Sequence, residues 1–344
     1  MVDLQAGLES ETSADPADRL VLAILSELDG KLSRAGLESL GLDLAANQAI
    51  YGMGAFPVAR ISLSDALALR ATIERVLTNA GVSAEELRLQ DVAYWRAPLD
   101  EGDLPLALYA AVLPTHLAIG VFPTTAESDM LPAFLGLELP AVSDAAERLA
   151  TLNAEYGFTP YMTFIMDLHR LADEFIEMDS VTVRALGAEA ASELSGVDAT
   201  CAAEIHGILD KFPRFVLGVS ELEPRATAFR GIVEMPTDLG QRLRALTTRI
   251  PAIGKATGHL ADFAFGIKVG AARDFLRGEA QAVVDNPYQC ERLNDLNAQA
   301  RELITQLDQP LPPFVNNFRG FNFSLKALEM DPDGMVPRDI RGHA

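Results

Sequence analysis

Three times along this chain a strand stops at a small or acidic break and becomes an amphipathic helix, and that grammar limits the folds open to it. The first copy is Pro57-Val-Ala-Arg-Ile-Ser-Leu-Ser-Asp-Ala-Leu-Ala-Leu-Arg70. Its residues alternate as far as Leu63, Asp65 is placed to cap a helix, and Leu69, Ile73, Val76 and Leu77 share one helical face. The second copy runs from Tyr161 to Phe175 and the third from Phe263 to Arg277. Leu69, Leu171 and Leu276 hold comparable helical positions, so these side chains and Phe175 are expected to lie buried against sheet. The fold class that follows is α+β, with repeated strand–helix units forming twisted antiparallel sheet and helices packed on one face.

Further elements fit this scheme. A helix begins at Asp15-Pro16, with Pro at the first helical position. Ser83-Ala-Glu-Glu86 has the spacing of a capping box. Strands are expected near Leu89–Arg96, Leu104–Leu113 and His116–Phe122, and a hairpin over Phe215–Ser220 and Thr227–Glu234. Gly187 to Asp210 reads as helical and alanine-rich, and Asn286-Pro287 as the start of a long helix to Leu307. Phe314–Leu325 reads as a last strand and Asp331-Pro-Asp-Gly334 as a turn. The predicted organisation is an N-terminal helical segment over 1–48, a first α+β half over 49–155, and a second half over 156–344 continuous with it. Arg60, Arg96 and Lys268 fall on predicted strands, where a charged residue is expected on the open face of a half-covered sheet.

The sequence has 344 residues, 49% of them apolar, and a formal net charge of -21. A balance this acidic argues against nucleic acid and against an anionic membrane surface as partners, since both need clustered Lys and Arg. No stretch is apolar for the roughly 18 residues of a transmembrane helix. Met1-Val-Asp-Leu-Gln lacks the basic and apolar regions of a secretory signal, which fits a cytoplasmic protein or one whose leader has been removed.

Catalytic patterns fail on required residues. Gly52-Met-Gly54 lacks the third glycine and the placement of a dinucleotide fingerprint, and Gly254-Lys-Ala-Thr257 has Ala256 where a phosphate loop needs Ser or Thr. Gly218-Val-Ser-Glu-Leu222 lacks the closing glycine of a nucleophile elbow. No cofactor or metal motif is present. The best ionisable cluster is Asp167, His169, Asp173 and Glu174, which reads either as a solvated helical face or as a site where His169 and Asp173 hold a metal or Asp173 tunes the imidazole. Phe314, Phe318, Phe321 and Phe323 gather near the end of the chain, with Tyr94 and Trp95 on an earlier strand. Such aromatics fill a core or line a pocket for an apolar ligand. Cys201 and Cys290 are the only cysteines, too few and too far apart for a zinc site. They read as a disulfide, the alternative being two unrelated buried thiols.

Tyr51-Gly-Met-Gly-Ala-Phe-Pro-Val-Ala-Arg60 with Leu63-Ser-Asp65, the run Asn286-Pro-Tyr-Gln-Cys-Glu-Arg-Leu-Asn-Asp-Leu-Asn297, and Gly320-Phe-Asn-Phe323 together resemble an uncharacterised proteobacterial family of periplasmic proteins and lipoproteins. The resemblance covers nearly the whole chain from about residue 16. It implies a periplasmic or outer-membrane lipoprotein with its leader removed and a periplasmic disulfide, and it brings no catalytic residues. The resulting expectation is a non-enzymatic cell-envelope protein that binds an apolar ligand or a partner protein. Its aromatic site is Tyr94, Trp95, Phe314, Phe318, Phe321 and Phe323. The alternative is a metal-dependent or acid/base hydrolase centred on Asp167, His169 and Asp173.

Overall fold

The computed structural model describes residues 16–99, 105–138, 145–194, 197–223, 226–248, 261–315, 318–330 and 337–343. The Asp331–Gly334 turn, the Gly254–Thr257 motif and Pro224 of the expected hairpin turn lie outside the described residues. Two compact units emerge. One comprises Met1–Asp144, Asp173–Ser195 and Pro332–Met335, the other Ala145–Ala172, Gly196–Asp331 and Val336–Ala344.

The first unit is built on a six-stranded antiparallel sheet in the order β1-β2-β6-β5-β4-β3. The strands are β1 (Ala49–Met53), β2 (Phe56–Ser62), β3 (Glu85–Leu89), β4 (Val92–Leu99), β5 (Leu106–Val112) and β6 (His116–Pro123). Successive side chains point to opposite faces, and here both faces are covered. On one face Tyr109 of β5 stacks flat on Phe122 of β6, with ring centroids 3.9 Å apart, and Phe134 meets Phe122 edge-on at 5.6 Å. Phe134, Met130 and Leu131 come from the helix Glu127–Phe134. Gly120 makes room for it, since a Cβ there would stand 3.1 Å from the Phe134 ring and 3.2 Å from Val58. On the other face Leu69 of the helix Ala66–Ala80 packs with Leu63 and Leu117. That helix starts where Asp65 accepts hydrogen bonds from the Leu67 and Ala68 N–H groups, and it ends at Gly81, left-handed at φ 61°. The expected α+β class holds, with helices on two faces of the sheet where one was expected.

Two strand arginines explain how the helix Glu127–Phe134 is seated. Arg96 and the Tyr109 hydroxyl both donate to Glu127 at its N-terminal end, at 2.9 and 2.7 Å. Arg60 donates to the Phe134 and Ala133 carbonyls at its C-terminal end, at 2.7 and 3.2 Å. The Glu127 carboxylate at the N-terminal end and the Arg60 guanidinium at the C-terminal end complement the helix dipole. Arg60 and Arg96 therefore lie on a helix-covered face and correct the open-face expectation: buried carbonyls and a carboxylate hold them there. Lys268 instead precedes a helix of the second unit and donates to the Ala245 carbonyl.

The helix Pro16–Leu28 lies against Ala66–Ala80 through Ala23, Val76 and Ala80, and Arg75 grips Glu27 with two hydrogen bonds of 2.9 and 3.0 Å. The Arg75 guanidinium, with Lys31, holds the Glu27 carboxyl down at about 2 against the opposing effect of burial. A folded-state value below the unfolded one contributes stability that is present above the unfolded value and lost as pH falls through the folded one. Glu27→Gln is thus expected to lower stability at neutral pH. Its deficit against the parent should vanish between pH about 4 and about 2 in chemical denaturation. An unchanged deficit across that window would refute this role for Glu27.

The second unit holds two three-stranded antiparallel sheets, β7-β8-β9 and β10-β11-β12. Their strands are β7 (Thr163–Asp167), β8 (Arg214–Glu223), β9 (Ala226–Val233), β10 (Ala261–Gly266), β11 (Gly320–Met330) and β12 (Pro337–His343). The helix Leu168–Ile176 follows β7 and Val269–Asp285 follows β10, so all three expected strand–helix junctions form. The expected burial fails in two of them. Leu69 is buried, whereas Leu171, Leu276 and Phe175 remain 38%, 45% and 38% exposed. Both sheets here are small, and the helices after β7 and β10 keep these side chains at least partly in water.

Three further expectations are corrected. Ser83–Glu86 caps no helix: Glu85–Leu89 pairs with β4 around Gln90, a residue in the left-handed region at φ 53°. Gly187, at φ 85°, interrupts Val181–Leu194, and a separate helix Ala199–Leu209 starts after its cap Asp198. The helix expected from Pro287 begins at Asn294, because the N–H groups ahead of it are taken by side chains described below. Among the described residues no helix is long and apolar enough to cross a membrane.

Candidate functional site

The six aromatic residues singled out from sequence do not form one site. Tyr94 and Trp95 are adjacent on β4 and point to opposite faces of the first unit's sheet, each buried in its core. Tyr94 joins the Tyr109 cluster, and Trp95 lies under Arg70, whose guanidinium carbon is 4.8 Å from the ring centre. Neither is open to a ligand. Phe314, Phe318, Phe321 and Phe323 belong to the second unit, and all are exposed, Phe314 by 73%.

Strand register shows what these phenylalanines share. Phe321 of β11 is directly opposite Phe265 of β10, their ring centres 6.2 Å apart. Phe323 lies two residues along β11, so the alternation puts all three on one face. They are 46%, 46% and 41% exposed for Phe265, Phe321 and Phe323.

The other sheet repeats the pattern. Phe164 of β7 is opposite Leu217 and Met166 opposite Phe215, while Phe215 is opposite Val233 and Val219 opposite Phe229. Phe164, Met166, Phe229 and Val233 stay exposed, and the Phe164 and Phe215 rings meet edge to face at 6.2 Å. The reverse face is closed, with Val216 fully buried and the Phe158 ring pressed on Gly218, where any Cβ would overlap it. An antiparallel sheet with one solvated face ordinarily alternates apolar with polar residues. Among the described side chains, Phe164, Met166, Phe229 and Val233 on this face of β7-β8-β9 and Phe265, Phe321 and Phe323 on one face of β10 and β11 are exposed and apolar.

An open groove of about 500 Å³ adds a third apolar surface. Leu276 and Val283 of the helix Val269–Asp285 line it together with Leu296 and Leu303 of the helix Asn294–Leu307. Lys211, paired with Glu279 at 2.9 Å, stands at the groove. Tyr288 lines it too, and its loop is held from several sides. Cys201 and Cys290 stand at disulfide distance, their Cα atoms 4.5 Å apart. Glu204 accepts the Gln289 and Cys290 N–H groups at 2.8 and 2.9 Å. Buried Asn297 accepts the Tyr288 N–H and donates to the Tyr288 carbonyl, both at 2.9 Å. The run Asn286–Asn297 thus supplies the loop and one side chain that fixes it, Asn297, while Glu204 and Cys201 reach it from elsewhere in the chain.

The ionisable cluster is arranged differently from the sequence expectation. Asp167 accepts the Arg170 N–H at 3.2 Å and caps its helix. His169 turns to residues far away in sequence. Its Nδ1 is 2.7 Å from Nδ1 of His206, and its Nε2 is 3.2 Å from Asp210 Oδ1. Among the described residues, no group of three or more His, Cys, Asp or Glu is placed to hold a metal ion. Comparison of the chain with known protein families, with curated proteins and with solved structures found no match.

Sequence reasoning missed Phe164, Met166, Phe229 and Phe265, and also His206, Asp210 and Glu204. The runs Tyr161–Met166 and Thr227–Val233 carry a usable signal, being strands with apolar residues where a solvated face should be polar. His206 carries none, standing 37 residues from His169.

Proposed function

We propose that this chain is a non-enzymatic cell-envelope protein that binds an apolar ligand, or the apolar surface of a partner protein, through its second unit. One observation carries the reading: two sheets of that unit present open apolar faces, one with Phe164, Met166 and Phe229, the other with Phe265, Phe321 and Phe323. Contiguous apolar surface on a folded protein marks a site that something else covers. The envelope assignment rests on the cysteine pair, because bonded cysteines persist in oxidising compartments, and on the resemblance to periplasmic proteins and lipoproteins.

Titration with the apolar fluorophore N-phenylnaphthylamine tests the binding claim. The native chain should bind it saturably. Each phenylalanine covered by a ligand contributes about 1.5–3 kcal/mol. Phe164→Ser with Phe229→Ser, or Phe321→Ser with Phe323→Ser, should therefore weaken binding about tenfold or more. These side chains are exposed, so the melting temperature should barely move. Absence of saturable binding, or binding unchanged in both double variants, would overturn the proposal. So would a turnover activity that His169→Ala abolishes in a folded chain.

A further inference from the structure

His169, on the helix Leu168–Ile176, and His206, on Ala199–Leu209, face each other ring to ring. Their ring planes differ by 5° and their centres are 5.0 Å apart, with the two Nδ1 atoms 2.7 Å apart. A gap between nitrogens so much shorter than that between centres means that the rings meet edge to edge, each Nδ1 aimed at the other. A hydrogen bond across such a gap needs one Nδ1–H and one lone pair. Behind His169, Asp210 accepts from Nε2 at 3.2 Å. With its proton on Nε2, neutral His169 presents the Nδ1 lone pair, and His206 supplies the Nδ1–H.

We propose that this pair is a binding site for a divalent transition-metal cation of the zinc, copper or nickel class, with Nδ1 of His169 and Nδ1 of His206 as ligands. Two features support it. Imidazole nitrogen is the donor these cations favour. A carboxylate on the far nitrogen of a ligating histidine fixes its tautomer and ring orientation, and Asp210 is placed to do both. Binding has a geometric requirement: the nitrogens part from 2.7 Å to roughly 3.3 Å, and the rings, whose Nδ1 atoms now face head-on, tilt until both lone pairs converge on the ion.

The two imidazoles supply two coordination positions, and water fills the rest, which it can reach because the His169 side chain is 27% exposed. On binding, His206 moves its ring proton from Nδ1 to Nε2, so a neutral pair stays neutral and releases no proton. A pair that starts with one extra proton releases it. The site is independent of the apolar faces, so its failure leaves the binding proposal standing.

Calorimetric titration of the whole chain with zinc chloride and with nickel chloride at neutral pH is the test. The expected result is saturable binding of one equivalent, weakened more than tenfold by His169→Ala and by His206→Ala. Asp210→Asn, a change behind the ligand, should weaken it about tenfold, the low end for such positions. Circular dichroism shows whether each variant keeps its fold. On the unaltered chain, zinc should shift the imidazole carbon resonances of His169 and His206 and leave those of His116 in place. No saturable binding, binding as tight in either histidine variant as in the parent, or unmoved His169 and His206 resonances would each overturn the proposal.

Discussion

Chains carrying Cys201→Ser and Cys290→Ser together are expected to lose about 4–5 kcal/mol of stability in the second unit. The cysteines are 89 positions apart, and opening a loop of that size restores this much chain entropy to the unfolded state. The folded state should survive the change, because Glu204 and Asn297 still hold the Tyr288–Cys290 backbone. Urea denaturation of parent and variant, read through amide exchange in the helix Ala199–Leu209, measures the loss. Reductant should reproduce it in the parent and do nothing further to the variant. A difference below about 1 kcal/mol would mean that the thiols are not joined in the protein as isolated.

Phe122→Ala should cost about 3–5 kcal/mol, the range for truncating a buried aromatic residue. Phe122 is fully buried, stacked on Tyr109 and met edge-on by Phe134. Its removal leaves Tyr109 and Phe134 facing a void between sheet and helix. The Tyr109 hydroxyl is tied to Glu127, and the helix ending at Phe134 is tied at both ends, so neither ring can readily collapse inward. A cavity that cannot close lies at the costly end of the range. Calorimetry or urea denaturation reports the size. A loss below about 1 kcal/mol would show that the site repacks.

The contrast between these residues and Phe321 indicates what the sequence could reveal. Alternation and capping are local, so β5, β6, the three strand–helix junctions and the Asp65 cap were all legible. Which face of a strand a neighbour covers is not local. Tyr94, Trp95 and Phe321 look alike in sequence, yet the first two are sealed by residues of other strands and helices while Phe321 keeps nearly half its surface exposed. The same limit explains Arg60 and Arg96, whose partners Phe134 and Glu127 lie 74 and 31 positions away. Cys201 and Cys290 read in sequence as a disulfide or as two unrelated thiols, and Glu204, which holds the backbone at Cys290, gives no sign. His206 was invisible for the same reason.

Glu204 and Asn297 share a property with consequences for which substitutions this chain can absorb. Both grip main-chain groups, Glu204 the N–H of residues 289 and 290 and Asn297 the N–H and carbonyl of residue 288. Every amino acid but proline offers the same N–H, so the side chain at 289 is unconstrained by the clamp that holds it. The burden falls on the gripping residues. Aspartate at 204 would fall one methylene short of two adjacent N–H groups, and leucine at 297 would take away the partner of the partly buried Tyr288 N–H and carbonyl. The path of this loop is written outside it, where a scan for variable surface positions would not look.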